Sequence, residues 1–204
     1  MTIIEVFLKG GPLMFILLAI SIIGLGIVIG KYRQIFRVNN IQRKLGDKIS
    51  KTQSIDDINV ALKSNLEVCP LTIVLNKAFS LIDEDYEIVK TSIEATANIA
   101  IHNLEKGLGW ISTIAAVAPL IGFLGTVTGM VRVFINIAAH SQQGIDITLL
   151  ANGIWEALLT TVGGLIVGIP AIIFYNDLVS HTENNAKLLQ EQIDDFMIKL
   201  YKQK

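Results

Sequence analysis

Charge is the scarcest commodity in this sequence. Only 17% of its 204 residues are charged, where a soluble domain carries about 25%. Apolar residues reach 51% and the mean hydropathy is +0.55. A soluble globule has to cover itself with charge, so the shortage argues against a soluble enzyme and against a disordered chain. The net charge of −1 provides no basic field to attract a polyanion, so no nucleic-acid partner is expected. Cysteine is nearly absent too. Cys69 stands alone, which rules out an internal disulfide or a cysteine-rich metal centre, and it reads as a small buried hydrophobe. His102, His140 and His181 lack ligand-like spacing, and the acidic run Asp83-Glu84-Asp85 reads as the start of a solvated helix. Gly24, Gly26 and Gly30 do not have dinucleotide-loop spacing, and Tyr32 follows Lys31 where a phosphate loop needs Ser or Thr. No nucleophile elbow, paired carboxylates in an apolar setting, internal repeat or low-complexity tract is found. Neither enzymatic chemistry nor a cofactor or metal is expected.

What the sequence does contain is three long apolar runs. Gly10–Gly30 is 21 residues without a charge, and Gly107–Val131 is 25. Between Asp146 and Asp177 lie 30 residues with one charge, Glu156. About 20 mostly apolar helical residues cross the roughly 30 Å hydrocarbon layer, so all three qualify as spans. As buried helices of a soluble protein they would leave too little polar chain to shield them. Lys and Arg orient the chain. Eleven of 17 fall within Lys31–Lys106, four follow Asp177, and only Lys9 and Arg132 remain. The positive-inside rule then places the N-terminus outside and the long loop and tail in the cytoplasm. Positive charge follows the first apolar run instead of preceding it, so that run is expected to stay as a span and not to be cleaved as a signal peptide.

The expected fold is an all-α integral membrane protein with three transmembrane helices and long helices extending into the cytoplasm. Residues 1–11 form an outer amphipathic segment and 12–33 the first span. Residues 34–106 are a cytoplasmic helical loop, 107–138 the second span, 139–147 an outer loop, 148–176 the third span and 177–204 a cytoplasmic tail helix. Ser54-Ile-Asp-Asp57 fits a capping box, and Pro70 suits the first turn of the next helix. From Asp85 the pattern predicts one helix running through the second span as a single rod, kinked locally at Pro119. Leu178, Asn185, Leu189, Ile193, Phe196 and Leu200 form a stripe at helical spacing, the packing face of an amphipathic tail helix.

The second and third spans differ from the first, whose only polar side chain is Ser21. Ala115, Ala118, Gly122, Gly125 and Gly129 recur every three to four residues, with Thr126 at the edge of that face. Gly153, Ala157, Thr160, Thr161, Gly164 and Gly168 do likewise. Small residues at this spacing let helix backbones approach closely in lipid. Glu156 is harder to explain by packing. A carboxylate well inside a bilayer costs on the order of 3 kcal/mol even on the lenient scale. Asn152, Glu156 and Thr160 make one stripe of the third span polar, so this stripe must face protein or water. Such an acid is a candidate for an ion path; the plain alternative is a structural hydrogen bond or ion pair near the outer interface. For Thr126 and Thr161 the plain alternative is a bond back to their own helix. Arg132 is expected near the outer headgroups, its side chain snorkelling to the lipid surface.

Ala118-Pro-Leu-Ile-Gly-Phe-Leu-Gly-Thr-Val-Thr-Gly-Met130 resembles the second-span signature of the MotA/TolQ/ExbB proton-channel family. Leu150–Ala171, followed by Tyr175-Asn176, is similar to its third-span signature. Three spans resemble the ExbB and TolQ branch, since flagellar stator subunits have four. Thr128 stands where some ExbB members have Trp, and Arg132 where others have a neutral or weakly basic residue, which blurs the choice between ExbB and TolQ. The resemblance implies a pentamer around the single helices of an ExbD- or TolR-like protein whose membrane Asp is essential, and a TonB- or TolA-like protein that receives the work. It implies a proton pathway at Thr126, Thr161 and Glu156. Gly122, Gly125, Gly129, Asn152, Thr160, Gly164 and Gly168 are read as packing or pore-lining positions. It further implies a multi-pass protein of the bacterial inner membrane, with a periplasmic N-terminus and a cytoplasmic C-terminus. A scaffold packed through glycine faces without ion flux, and a simple channel without a force-transmitting partner, are the competing readings.

Overall fold

The computed structural model describes residues 10–52, 54–64, 67–139 and 147–202, and among these all regular structure is helical. The elements are α1 (Gly11–Lys51), α2 (Ile55–Ser64), α3 (Pro70–Ser80), α4 (Tyr86–Glu105), α5 (Leu108–Ala139) and α6 (Ile147–Lys202). The amphipathic segment expected before Gly10 and most of the expected outer loop lie outside the described residues. Three of the helices, α1, α5 and α6, are long and apolar enough to cross a membrane. At 1.5 Å per residue, the 41 residues of α1 and the 56 of α6 measure about 60 and 85 Å, well beyond a 30 Å hydrocarbon layer. Each therefore carries an apolar half and a polar half in one uninterrupted helix.

The chain divides into two compact units. The first contains described residues of Met1–Ile29 together with Gly107–Asn176. It is apolar on the outside. Ile22, Trp110, Leu120, Phe123, Phe134 and Ile166 are each more than 60% exposed. Its interior is built of small residues: Ala118, Gly122, Gly125 and Gly129 of α5 and Ala157, Thr160, Gly164 and Gly168 of α6 are all buried. Met14 and Leu17 of α1 pack on Ala118. Large apolar surface turned outward has no place in water; in lipid it is the ordinary solvent-facing side.

The second unit, Gly30–Lys106 with Asp177–Lys204, has the opposite design. Leu45, Ile58, Leu75, Val89, Leu189 and Phe196 belong to one buried cluster, with Phe79 and Phe196 edge to face at 5.6 Å. All six members of the predicted tail stripe are buried. Polar groups tie the helices together. Tyr32 donates to Asp177 Oδ2, and His181 Nε2 lies 3.7 Å from the same oxygen. Gln42 Nε2 donates to the Asn185 carbonyl at 3.2 Å. Lys199 Nζ donates to the carbonyls of Ile49, Ser50 and Thr52 at 2.7, 2.8 and 3.0 Å, a cation placed on the open end of α1 where the helix dipole favours it. Tyr201 meets Tyr86 edge to face at 4.8 Å; burial first, then Tyr86 and Asp85, push its phenol above its ordinary pKa. Pro70 opens α3 as expected, and Cys69 is buried.

The single rod expected from Asp85 through the second span is not formed. Helix α4 stops at Glu105 and α5 starts at Leu108, with Gly107 at φ +94° between them. That left-handed geometry ends a helix and suits glycine best, with asparagine next among the ordinary residues. Lys31 Nζ reinforces the stop by accepting the role of cap, donating to the Leu104 carbonyl at 3.1 Å. Pro119 does not end α5, which continues through it to Ala139. Gly107→Ala is expected to destabilise the protein by about 1–2 kcal/mol, a thermal-midpoint loss of several degrees in detergent, with Gly107→Asn less damaging. An unchanged midpoint would show that the left-handed turn is not needed.

Candidate functional site

The site is built on the seam between α5 and α6. These helices run antiparallel, and their small residues interlock along the whole contact. A Cβ added to Gly164 would lie 2.6 Å from the Ala118 carbonyl and 2.9 Å from Gly122 Cα. One added to Gly122 would lie 2.8 Å from the Thr160 carbonyl and 3.1 Å from Thr161 Cα. Further along, Gly125 faces the Thr160 side chain, Gly129 meets Ala157, and Gly168 lies against the Pro119 ring and the Ala115 carbonyl. Pro119 has no N–H to offer the carbonyl four residues back, and that carbonyl is Ala115's. Gly168 approaches it closely, which only a residue without a side chain allows. Along this seam α5 and α6 approach backbone to backbone.

Polar side chains punctuate this seam. Thr161 Oγ1 donates across it to the Gly122 carbonyl at 3.0 Å. Thr126 Oγ1 donates to the Phe123 carbonyl of its own helix at 2.6 Å, the back-bonded geometry that was the plain alternative for both threonines. The two hydroxyls are thus anchored on carbonyls of consecutive residues, Gly122 and Phe123, and both remain partly exposed. A hydroxyl has one proton and two lone pairs. With each proton committed to a carbonyl, each oxygen is left to accept from water or from another donor. Thr160 is different. It is 2% exposed and donates to the Ala157 carbonyl at 2.7 Å, which makes it part of the packing.

Glu156 sits one turn before Thr160, and Arg132 Nη1 of α5 donates to its Oε1 at 3.1 Å. Gly11, at φ +70°, lies so close to the same carboxylate that an added Cβ would collide with Oε1. The stripe of Asn152, Glu156 and Thr160 thus runs from exposed through partly exposed to buried. Two of these contacts were not anticipated. The pairing of Arg132 with Glu156 had a legible signal: they are a cation and an acid at matching distances from the short connection between two apolar helices. The approach of Gly11 had none, because it depends on where α1 lies. Among the described residues no group of three His, Cys, Asp or Glu could hold a metal ion.

Three long helices with apolar exteriors and a glycine-lined seam carrying an acid, a base and hydroxyls define a multi-pass membrane protein. Comparison with known proteins makes this specific. The profile of the MotA/TolQ/ExbB proton channel family matches residues 67–191, more than half of the chain, and the chain belongs to that family. It is 32% identical over 200 residues to an ExbB-like biopolymer transport protein of Synechocystis sp., a match covering 95% of this chain and 74% of that one. It is 44% identical over 71 residues to the biopolymer transport protein ExbB of Salmonella typhimurium, covering 35% of this chain and 28% of that protein. It is 32% identical over 124 residues to the Tol-Pal system protein TolQ of Haemophilus influenzae, covering 59% and 54%.

Proposed function

We propose that this chain is the channel subunit of a proton-driven motor of the ExbB–ExbD or TolQ–TolR type in a bacterial inner membrane. The observation that carries the reading is the seam itself. In a unit that is largely apolar, it carries the ion pair of Glu156 with Arg132 and the partly exposed hydroxyls of Thr126 and Thr161. In this reading, five copies surround single helices of a partner that bears a membrane Asp. Protons enter from the side of Gly11 and Arg132, which is the outer side. Water held by the two threonine oxygens carries them to the partner's Asp. Because the hydroxyl protons are engaged with carbonyls, the threonines serve as fixed acceptors that order water. Neutralising the Asp releases its helix to turn or shift. The gradient supplies about 2.3 kcal/mol per charge per 100 mV, and a TonB- or TolA-like protein receives the work. Residues 34–106 and 177–204 then lie in the cytoplasm.

One observation favours the scaffold reading: Arg132 already pairs with Glu156, as a structural ion pair would. Against that, Glu156 keeps 31% of its side chain exposed, so the pair does not seal it away. The test is to co-express the chain with a one-span protein carrying a membrane Asp, encoded next to it. The complex should co-purify with several copies of this chain by native mass spectrometry, and should acidify proteoliposomes containing a pH-sensitive dye under an imposed potential. A stable chain that recruits no partner and passes no protons would establish the scaffold.

A further inference from the structure

We propose that Arg132 is an ion-selectivity determinant, which keeps Glu156 from serving as a sodium ligand while leaving the way open to protons. This rests on the channel reading above and decides which ion uses it. Two contacts converge on one carboxylate oxygen: the Arg132 guanidinium donates to Oε1 at 3.1 Å and Gly11 abuts the same oxygen, while Thr160, one turn further along α6, turns its hydroxyl to the Ala157 carbonyl.

The chemistry follows from what each ion needs. A hard metal cation passing a narrow site must replace its water with oxygen ligands. In this seam a free carboxylate would be the strongest such ligand. Arg132 occupies one of its oxygens and offsets its charge, so the site offers a metal cation neither a field nor a full coordination shell. Charged side chains lining a pore set ion preference elsewhere too. A proton hops between ordered waters and requires no coordination shell, and the near-neutral pair raises little barrier to it. Gly11 completes the arrangement. Without a side chain it lets the carboxylate lie where Arg132 reaches it, and its left-handed φ of +70° makes any replacement strained as well as obstructive. Gly11 is a positioning residue acting through Glu156.

The experiment uses the complex with its one-span partner in proteoliposomes, measuring proton flux with a pH dye and sodium flux with a sodium dye under opposed gradients. Wild type should pass protons with little sodium. Arg132→Gln should raise the sodium-to-proton ratio by about tenfold or more, and Arg132→Lys should stay near wild type. The double variant Arg132→Gln with Glu156→Gln should lose the gain in sodium flux itself, measured per assembled complex, since the freed carboxylate causes it; a purely structural role for Arg132 would not produce that reversal. Gly11→Ala, which removes no charge but displaces the carboxylate, should also raise the ratio and serves if Arg132→Gln fails to assemble. An assembled, proton-conducting Arg132→Gln or Gly11→Ala complex with an unchanged ratio overturns the inference and leaves the channel reading standing. So does a sodium gain that survives in the double variant. A wild-type complex that conducts no ion at all overturns both.

Discussion

Thr161→Val is expected to lower proton flux through the assembled complex by about tenfold, equivalent to about 1.4 kcal/mol on the barrier. Glu156→Gln should do at least as much, and in both cases assembly should survive. The reasons differ. Valine keeps the shape of threonine but removes the oxygen that donates to the Gly122 carbonyl and that, in the proposed pathway, accepts from water. The lost cross-helix hydrogen bond should itself cost only about 0.5–1.5 kcal/mol of stability, seen as a small drop in thermal midpoint. Thr161→Ser separates the two effects, because it restores the hydroxyl and should restore flux. Glutamine at 156 can still accept from Arg132, so helix pairing holds, but the site loses its negative charge. Flux in proteoliposomes, normalised to assembled complex by native mass, decides the matter. Unchanged flux in both variants would refute the assignment of these residues to the pathway.

The second large effect is expected at Gly164. Gly164→Val should prevent α5 and α6 from closing, with little protein accumulating in the membrane and a much lower thermal midpoint in what does. Overpacking an interior ordinarily costs about 1–3 kcal/mol, and here the upper end applies. The atoms a Cβ would strike are the Ala118 carbonyl and Gly122 Cα, which belong to the backbone and cannot turn aside as a flexible side chain can. Gly26 is the control. Nothing lies within 4 Å of a Cβ added there, so Gly26→Ala should be neutral or slightly stabilising through helix propensity. Equal sensitivity at both positions would mean that the seam is not the close contact described.

Much of this molecule was legible before any coordinates. The apolar runs became α1, α5 and α6 because a helix is the simplest way for a lone segment to satisfy its backbone in lipid. The tail stripe from Leu178 to Leu200 is buried because the period of 3.6 residues puts those side chains on one face whatever lies opposite. Where local reading failed, it failed at backbone geometry. Nothing in the helical pattern before Gly107 shows that this residue turns left-handed at φ +94°. Nor does composition reveal that α1 continues without interruption to Lys51, or that Lys199 seals its end.

The sequence by itself determined which segments are helical, which faces are apolar, and that one acid and a few hydroxyls lie among residues of low polarity. These are properties of a chain and its period, and each can be counted along one strand of text. Only the tertiary structure decided what those polar groups touch. It brought Arg132 and Gly11 to the Glu156 carboxylate, sent the Thr161 hydroxyl across to Gly122 and the Thr126 hydroxyl back to Phe123. Hydrogen bonds and ion pairs act over about 3 Å, and which groups come that close depends on the rotation and depth of each helix against its neighbours, which no single helix encodes.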